Sequence, residues 1–124
     1  MLDASETKPD TKRDADVTSE RAVRCARCGH ALTTENERID VDGSHAHTFV
    51  NPWGIVFHIA LFRAVAGCFV TGDPEKHTSW FAGTVWRFAH CAQCAAHVGW
   101  HYVRVDDPAA GATFFGLIED CITR

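Results

Sequence analysis

The segment His77-Thr78-Ser79-Trp80-Phe81-Ala82-Gly83-Thr84-Val85-Trp86 leads, after four residues, into Cys91-Ala92-Gln93-Cys94 and then into His97-Val98-Gly99-Trp100-His101-Tyr102. Three tryptophans and a CxxC pair therefore fall in one short stretch. A second CxxC, Cys25 and Cys28, lies upstream, with 62 residues between the pairs. Each CxxC turn presents two sulfurs from a tight knuckle, and two knuckles supply the four thiolates that zinc takes in structural sites. The spacing predicts one structural zinc that ties an early segment to a late one through Cys25, Cys28, Cys91 and Cys94. A redox pair or plain buried thiols would explain one CxxC but not two. With four protein ligands the metal keeps no open position, which argues against zinc hydrolysis. Cys68, in an apolar run, and Cys121, near the end, read as core thiols.

The chain has 124 residues, 46% hydrophobic and 23% charged, which suits one globular domain. Residues 1–20 are polar and charged with almost nothing to bury, so they are expected to form an unfolded tail, with the domain at 21–124. The net charge of −4 gives no reason to bind phosphate backbones; among the twelve basic residues only Arg21, Arg24 and Arg27 cluster. No signal peptide is visible, so reduced thiols and a cytoplasmic location are expected. The longest apolar run, Ile55 to Val70, is interrupted by His58 and Arg63 and falls short of the ~20 residues that span a bilayer. It reads as core strand.

From Thr48 onward, short period-two runs are punctuated at Asn51-Pro52, Gly72-Asp73-Pro74, Gly83, Gly99 and 106–111, with Asp42-Gly43 as an earlier turn. This pattern predicts an all-β chain of antiparallel sheet. Ile55, Phe57, Ile59 and Leu61 give one apolar face, and Val56, His58, Ala60 and Phe62 a mixed one. Thr113 to Ile122 is expected to close a sheet, with Asp120 and Arg124 returning to solvent. No long, well-capped amphipathic helix is visible.

A turn at Ala82-Gly83-Thr84 would set Trp80 and Trp86 opposite each other, and alternation puts Trp100 and Tyr102 on one strand face. The rings are either core bulk or the walls of a ligand cage. The irregular, polar lead-in of His77, Thr78 and Ser79 would offer backbone N–H and C=O groups to a small guest. Such a box suits a quaternary ammonium, which usually wants a nearby carboxylate, or a flat lactam or imide. No acidic residue lies between Lys76 and Val105, which favours the neutral guest.

These residues resemble the thalidomide-binding CULT domain of cereblon. The Ser-Trp, Trp, CxxC and Gly-Trp order carries the likeness, with Asn51-Pro52-Trp53-Gly54 and Phe114-Phe115-Gly116-Leu117 as further matches, over roughly Val23 to Ile122. The resemblance implies two antiparallel sheets in a zinc-stapled β-tent and a cage of Trp80, Trp86 and Trp100. Tyr102 would stand at its base, Asn51 and Phe57 at its mouth, and Thr78 and Ser79 in its polar loop. It implies binding without catalysis. The guests would be glutarimides of the thalidomide type, uracil-like rings, or C-terminal cyclic imides of proteins. Where cereblon has a histidine just before Ser-Trp, this chain has Thr78, with His77 one place earlier, so one hydrogen bond to an imide carbonyl is expected to change. The likeness is to the stand-alone bacterial form, so no ubiquitin ligase adaptor is expected as a partner, and the charge and the short apolar run speak against nucleic acid and membrane.

The rivals are a zinc-bearing methionine sulfoxide reductase using Cys121, a methyl-lysine reader, and a protein or RNA-end adaptor. Asp120 beside Cys121 disfavours a thiolate there, and no basic residue immediately flanks it.

Overall fold

The computed structural model describes residues 21–77, 79–106 and 113–124, so the expected tail at 1–20 and position Thr78 lie outside the described residues. Among the described residues nine strands build two sheets, all of whose pairings are antiparallel. They are β1 (Ala22–Cys25), β2 (Ala31–Thr34), β3 (Ala46–Val50), β4 (Val56–Phe62), β5 (Cys68–Glu75), β6 (Thr84–Cys91), β7 (His97–Arg104), β8 (Thr113–Ile118) and β9 (Ile122–Thr123). The small sheet runs β2-β1-β9 and the large one β3-β4-β8-β7-β6-β5. Among the described residues no α-helix forms. The two antiparallel sheets and their cysteine cluster make the expected β-tent.

The large sheet carries a core on each face. Between the sheets, Val23, Leu32, Ala60, Phe62, Val65, Val98, Leu117 and Ile122 pack around Cys25 and Cys91. On the other face, Ile59, Leu61, Phe81, Trp100, Tyr102, Phe114 and Ile118 form an aromatic-rich core. β4 shows how the two meet: Val56 and His58 are exposed, whereas the last four residues, Ile59 to Phe62, are all buried. Its mixed face thus becomes core where the small sheet covers it.

The apolar run from Ile55 to Val70 is two strands, not one. β4 ends at Phe62, and the chain crosses to the far edge of the large sheet before β5 begins at Cys68. The crossing segment is held by backbone bonds from Gly67 N–H to Leu32 O (2.9 Å) and from Ala92 N–H to Gly67 O (2.8 Å). A side chain at Gly67 would run into the Ala31 carbonyl, so the segment lies against β2 backbone.

Three further expectations are corrected. Gly72-Asp73-Pro74 is no turn but a bulge inside β5, where the register with β6 shifts between Thr71 and Glu75. Gly99 lies within β7, where a Cβ would strike the Gly116 carbonyl of β8. The run Thr113 to Ile122 is not one strand: β8 fills the place between β4 and β7, where its apolar residues serve both cores, and Ile122 begins β9 at the edge of the small sheet. Arg124 is held by Glu35 and Glu119. The expected turns at Asp42-Gly43 and Ala82-Gly83 are present, the first with both residues at positive φ (53° and 88°). The turn at 106–111 lies mostly outside the described residues.

Candidate functional site

Two knuckles of the same construction face each other. Cys25 ends β1, takes an N–H to O bond from its own amide to His30 (2.9 Å), and its carbonyl accepts Gly29 N–H (2.8 Å). Cys91 ends β6 and repeats the pattern with Ala96 (2.9 Å) and Ala95 (2.8 Å). The fifth residue of each knuckle is left-handed, Gly29 at φ 80° and Ala95 at φ 66°. The sulfurs of Cys25, Cys28, Cys91 and Cys94 all lie within 4.8 Å of one another. Cys25 to Cys94 is 3.7 Å and Cys28 to Cys91 is 3.6 Å. Four sulfurs at the usual zinc bond length in a tetrahedron stand about 3.8 Å apart, so the donor set fits one zinc ion, and a disulfide does not fit these distances. Burial raises the Cys91 thiol, but the N–H groups of Cys94 and Gln93 outweigh it and bring it down to about 7. The Cys28 thiol beside it moves the other way: the His30 backbone contact lowers it, but burial and the neighbouring thiols outweigh that and push it up to about 11. Four sulfur ligands would leave such an ion no open position for water.

On the far face of the large sheet, register brings the aromatic residues together. Trp86 pairs with Tyr102, and Phe88 with Trp100, across β6 and β7. Trp80 reaches the same place from the loop before β6, whose turn is secured by the Thr84 hydroxyl donating to Phe81 O at 2.6 Å. Trp80 meets Trp100 edge to face (5.0 Å, 79°) and stacks on Phe49 (4.9 Å, 10°). Trp86 instead meets Phe88 (5.1 Å, 81°), and its Nε1–H donates to His77 O (3.3 Å). All three indoles line a cavity of about 530 Å³.

The family model described as Yippee zinc-binding/DNA-binding /Mis18, centromere assembly matches residues 10–123. The chain belongs to the Yippee-Mis18 family. Within that family it is similar to protein cereblon of Drosophila grimshawi, at 45% identity over 92 residues, which are 74% of this chain and 13% of the relative. Cereblon of Gallus gallus is 28% identical over 101 residues, 79% of this chain and 22% of the relative. Cereblon of Drosophila virilis is 28% identical over 107 residues, 84% and 17% respectively. The chain thus spans less than a quarter of the length of these relatives and corresponds to a cereblon-type domain. A zinc centre of four cysteines is in keeping with the Yippee-Mis18 family.

The expected cage residues are placed unequally. Trp80, Trp86, Trp100, Phe57, Asn51 and Tyr102 all line the cavity. Tyr102 is only 2% exposed and is largely core, stacked on Phe114 (5.1 Å, 23°); burial pushes its phenol above the ordinary range. The Asn51 side-chain oxygen accepts the N–H groups of Trp53 (3.0 Å) and Ile55 (2.9 Å), so it shapes the β3–β4 loop and leaves its NH₂ for other work. Ser79 is not in the lining: its hydroxyl is engaged with Thr84 Oγ1 (2.6 Å) and Phe81 O (3.3 Å). Thr78 lies outside the described residues.

Sequence reading missed Trp53, Glu75, Phe88 and His97 in the lining. Phe88 was available from alternation with Trp86. Glu75 was hidden by the bulge in β5. His97 packs between Phe88 (5.4 Å) and Trp100 (5.1 Å), and its Nε2–H donates to Gly99 O (2.9 Å). Burial holds its imidazole below the usual value, and His90 adds to the effect.

The thiols outside the metal cluster are poor nucleophiles. Burial, with Cys91 and Cys25 nearby, pushes Cys68 up to about 12. Cys121 is also raised, by burial first and then by Asp120 and Cys25. This weighs against a reductase built on Cys121. No helix among the described residues is long and apolar enough to cross a membrane.

Proposed function

We propose that this domain is a zinc-stapled binding module, without catalysis, whose aromatic cavity takes a small cyclic imide or lactam. Trp80, Trp86 and Trp100 are its walls, Phe57 and Asn51 stand at the mouth, Tyr102 lies at the floor, and the Trp80 backbone supplies hydrogen bonds. The observation that carries this reading is the convergence of three indoles from two strands and a loop on one cavity. Trp80 and Trp86 are only half-buried, which a purely structural aromatic core does not require. A volume of about 530 Å³ is in the usual range for small-molecule sites. Flat rings with an N–H and flanking carbonyls stack on indoles and satisfy loop amides; a guest lacking the N–H would leave a polar group unpaired, at about 1–3 kcal/mol. The likeness to cereblon supports the same guest class: glutarimides, uracil-like rings or a C-terminal cyclic imide on a protein.

The test is a thermal shift of zinc-loaded protein with glutarimide against its N-methyl form. Ligand at a hundredfold excess over its dissociation constant adds about 2.7 kcal/mol, roughly 10 °C for a domain of this size. A shift with the free imide alone is expected. Trp86→Ala, which removes a wall but little core, should abolish that shift and leave the melting transition in place. An unchanged shift in this variant would remove Trp86 from the site.

A further inference from the structure

No acidic residue lies between Lys76 and Val105 in the sequence, yet the bulge in β5 brings Glu75, one position earlier, into the cavity wall. Of the residues lining the cavity, Glu75 alone carries a formal charge at neutral pH; the rest are aromatic, histidine, Asn51 and Pro52. Its carboxylate is oriented by the backbone. Oε1 accepts the His77 N–H at 3.1 Å, and the Trp86 Nε1–H donates to the His77 carbonyl at 3.3 Å. One residue's peptide groups therefore fix both the carboxylate and the neighbouring indole, and Glu75 and Trp86 are cross-strand partners as well.

Among the described residues no Lys or Arg side chain forms an ion pair with Glu75. Arg87 alternates to the opposite face from Trp86 and donates its Nε–H to Gly72 O at 2.7 Å. Phe88, 41% exposed, and Trp53, 83% exposed, add ring surface to the same lining. Aromatic faces carry negative electrostatic potential, and a carboxylate at their edge adds to it, so the rim attracts a cation where the depth of the cavity is neutral.

We propose that the preferred guest is a flat imide or lactam ring bearing an organic cation, with the ring between the indoles and the cation at the mouth against Glu75 and Trp86. The assignment rests on the imide reading and adds charge selection to it. It is tested by calorimetric titration of the zinc-loaded full chain with two guests of one shape, 3-(trimethylammonio)glutarimide and 3-tert-butylglutarimide, which differ only in permanent charge. Unsubstituted glutarimide serves as reference.

The ammonium guest should bind about threefold to fivefold tighter at low ionic strength, as expected of a partly exposed ion pair. That preference should shrink in salt and vanish in Glu75→Gln, which keeps an acceptor for the His77 N–H, when each affinity is taken relative to that of unsubstituted glutarimide for the same variant. Equal affinities for the two guests, or a preference that survives in Glu75→Gln, would overturn the assignment. Failure of all three glutarimides would instead remove the imide reading. Tetramethylammonium titrated into the same sample then decides the role of Glu75: binding that is lost in Glu75→Gln supports it, and no binding refutes it.

Discussion

Ala95 occupies in the second knuckle the position that Gly29 occupies in the first, and both are left-handed. For a residue with a Cβ that conformation costs roughly 1–2 kcal/mol, and a glycine there gives back part of the gain as extra freedom in the unfolded chain. Ala95→Gly should therefore stabilise the zinc-loaded protein by about 0.5–1 kcal/mol, read as a higher melting temperature. A lower one would mean that the Cβ of Ala95 makes a packing contribution larger than its strain. Gly83 shows the opposite constraint: at φ 77°, a Cβ would also meet the Asp106 carboxylate. Gly83→Ala should loosen the turn that aims Trp80, weakening glutarimide binding more than it lowers the melting temperature. A loss of stability with affinity intact would detach that turn from the site. At this scale the sequence was most readable, because cysteine spacing and tryptophan placement report chemistry directly. Asn51 came from the family resemblance and Ser79 from its place in the polar loop, whereas the partners that occupy their side-chain oxygens are set by loop geometry that no spacing encodes.

Strands were legible by alternation where one face is buried, and misread where both are. β7 followed the expected pattern, with Trp100 and Tyr102 buried and His101 and Val103 less so. β8 and the end of β4 are buried on both faces, so their residues lose the period-two signal that assigns a face, and their central place in the sheet was invisible. The bulge in β5 carries Gly and Pro, the same residues that mark a turn. The C-terminal link was equally hidden, since it joins positions 89 residues apart. Arg124 holds Glu35 through two bonds of 2.9 and 2.8 Å, meets Glu119 at 3.2 Å, and donates to His45 Nε2 at 3.0 Å. It fastens β9 to the 3-10 turn after β2. The hydrogen bond from Arg124 holds the Glu35 carboxyl below its usual range. A depressed carboxyl stabilises the fold above its ordinary value of 4.5 and loses that contribution as pH falls through the folded value. Glu35→Gln should lower the melting temperature at neutral pH, and the difference from the parent should narrow steadily below about pH 4.5. A constant difference across that range would mean that the link is packing rather than charge.

At the scale of the whole molecule, the two sheets share one core and one metal site, and the smaller sheet leans on both. The small sheet comprises two strands of four residues and one of two, and its core is completed by Cys25 and Cys91 themselves. Zinc on four thiolates supplies about 10–16 kcal/mol of binding free energy, comparable to or larger than the 5–15 kcal/mol by which domains are normally stable. Chelation should therefore remove the cooperative melting transition, and restored zinc, at one ion per chain, should return it. Cys91→Ser should behave like the chelated protein, whereas Cys68→Ser, outside the sulfur cluster, should melt like the parent. His97 and His101 add a pH limit. Burial holds both below 6.5, helped by His90 for the first and Arg87 for the second, so each stabilises the fold above that value and withdraws support as pH falls through the folded ones. Zinc-loaded protein should accordingly lose stability from about pH 6.5 downward, before the carboxylates titrate. Because His97 is also in the cavity wall, a bound guest that buries it further should move its imidazole still lower, so glutarimide binding should weaken over the same range. His97→Gln separates the two effects: it should flatten the pH dependence of binding while leaving the zinc-dependent transition intact. If binding kept its pH dependence in that variant, the proton would belong to a group other than His97.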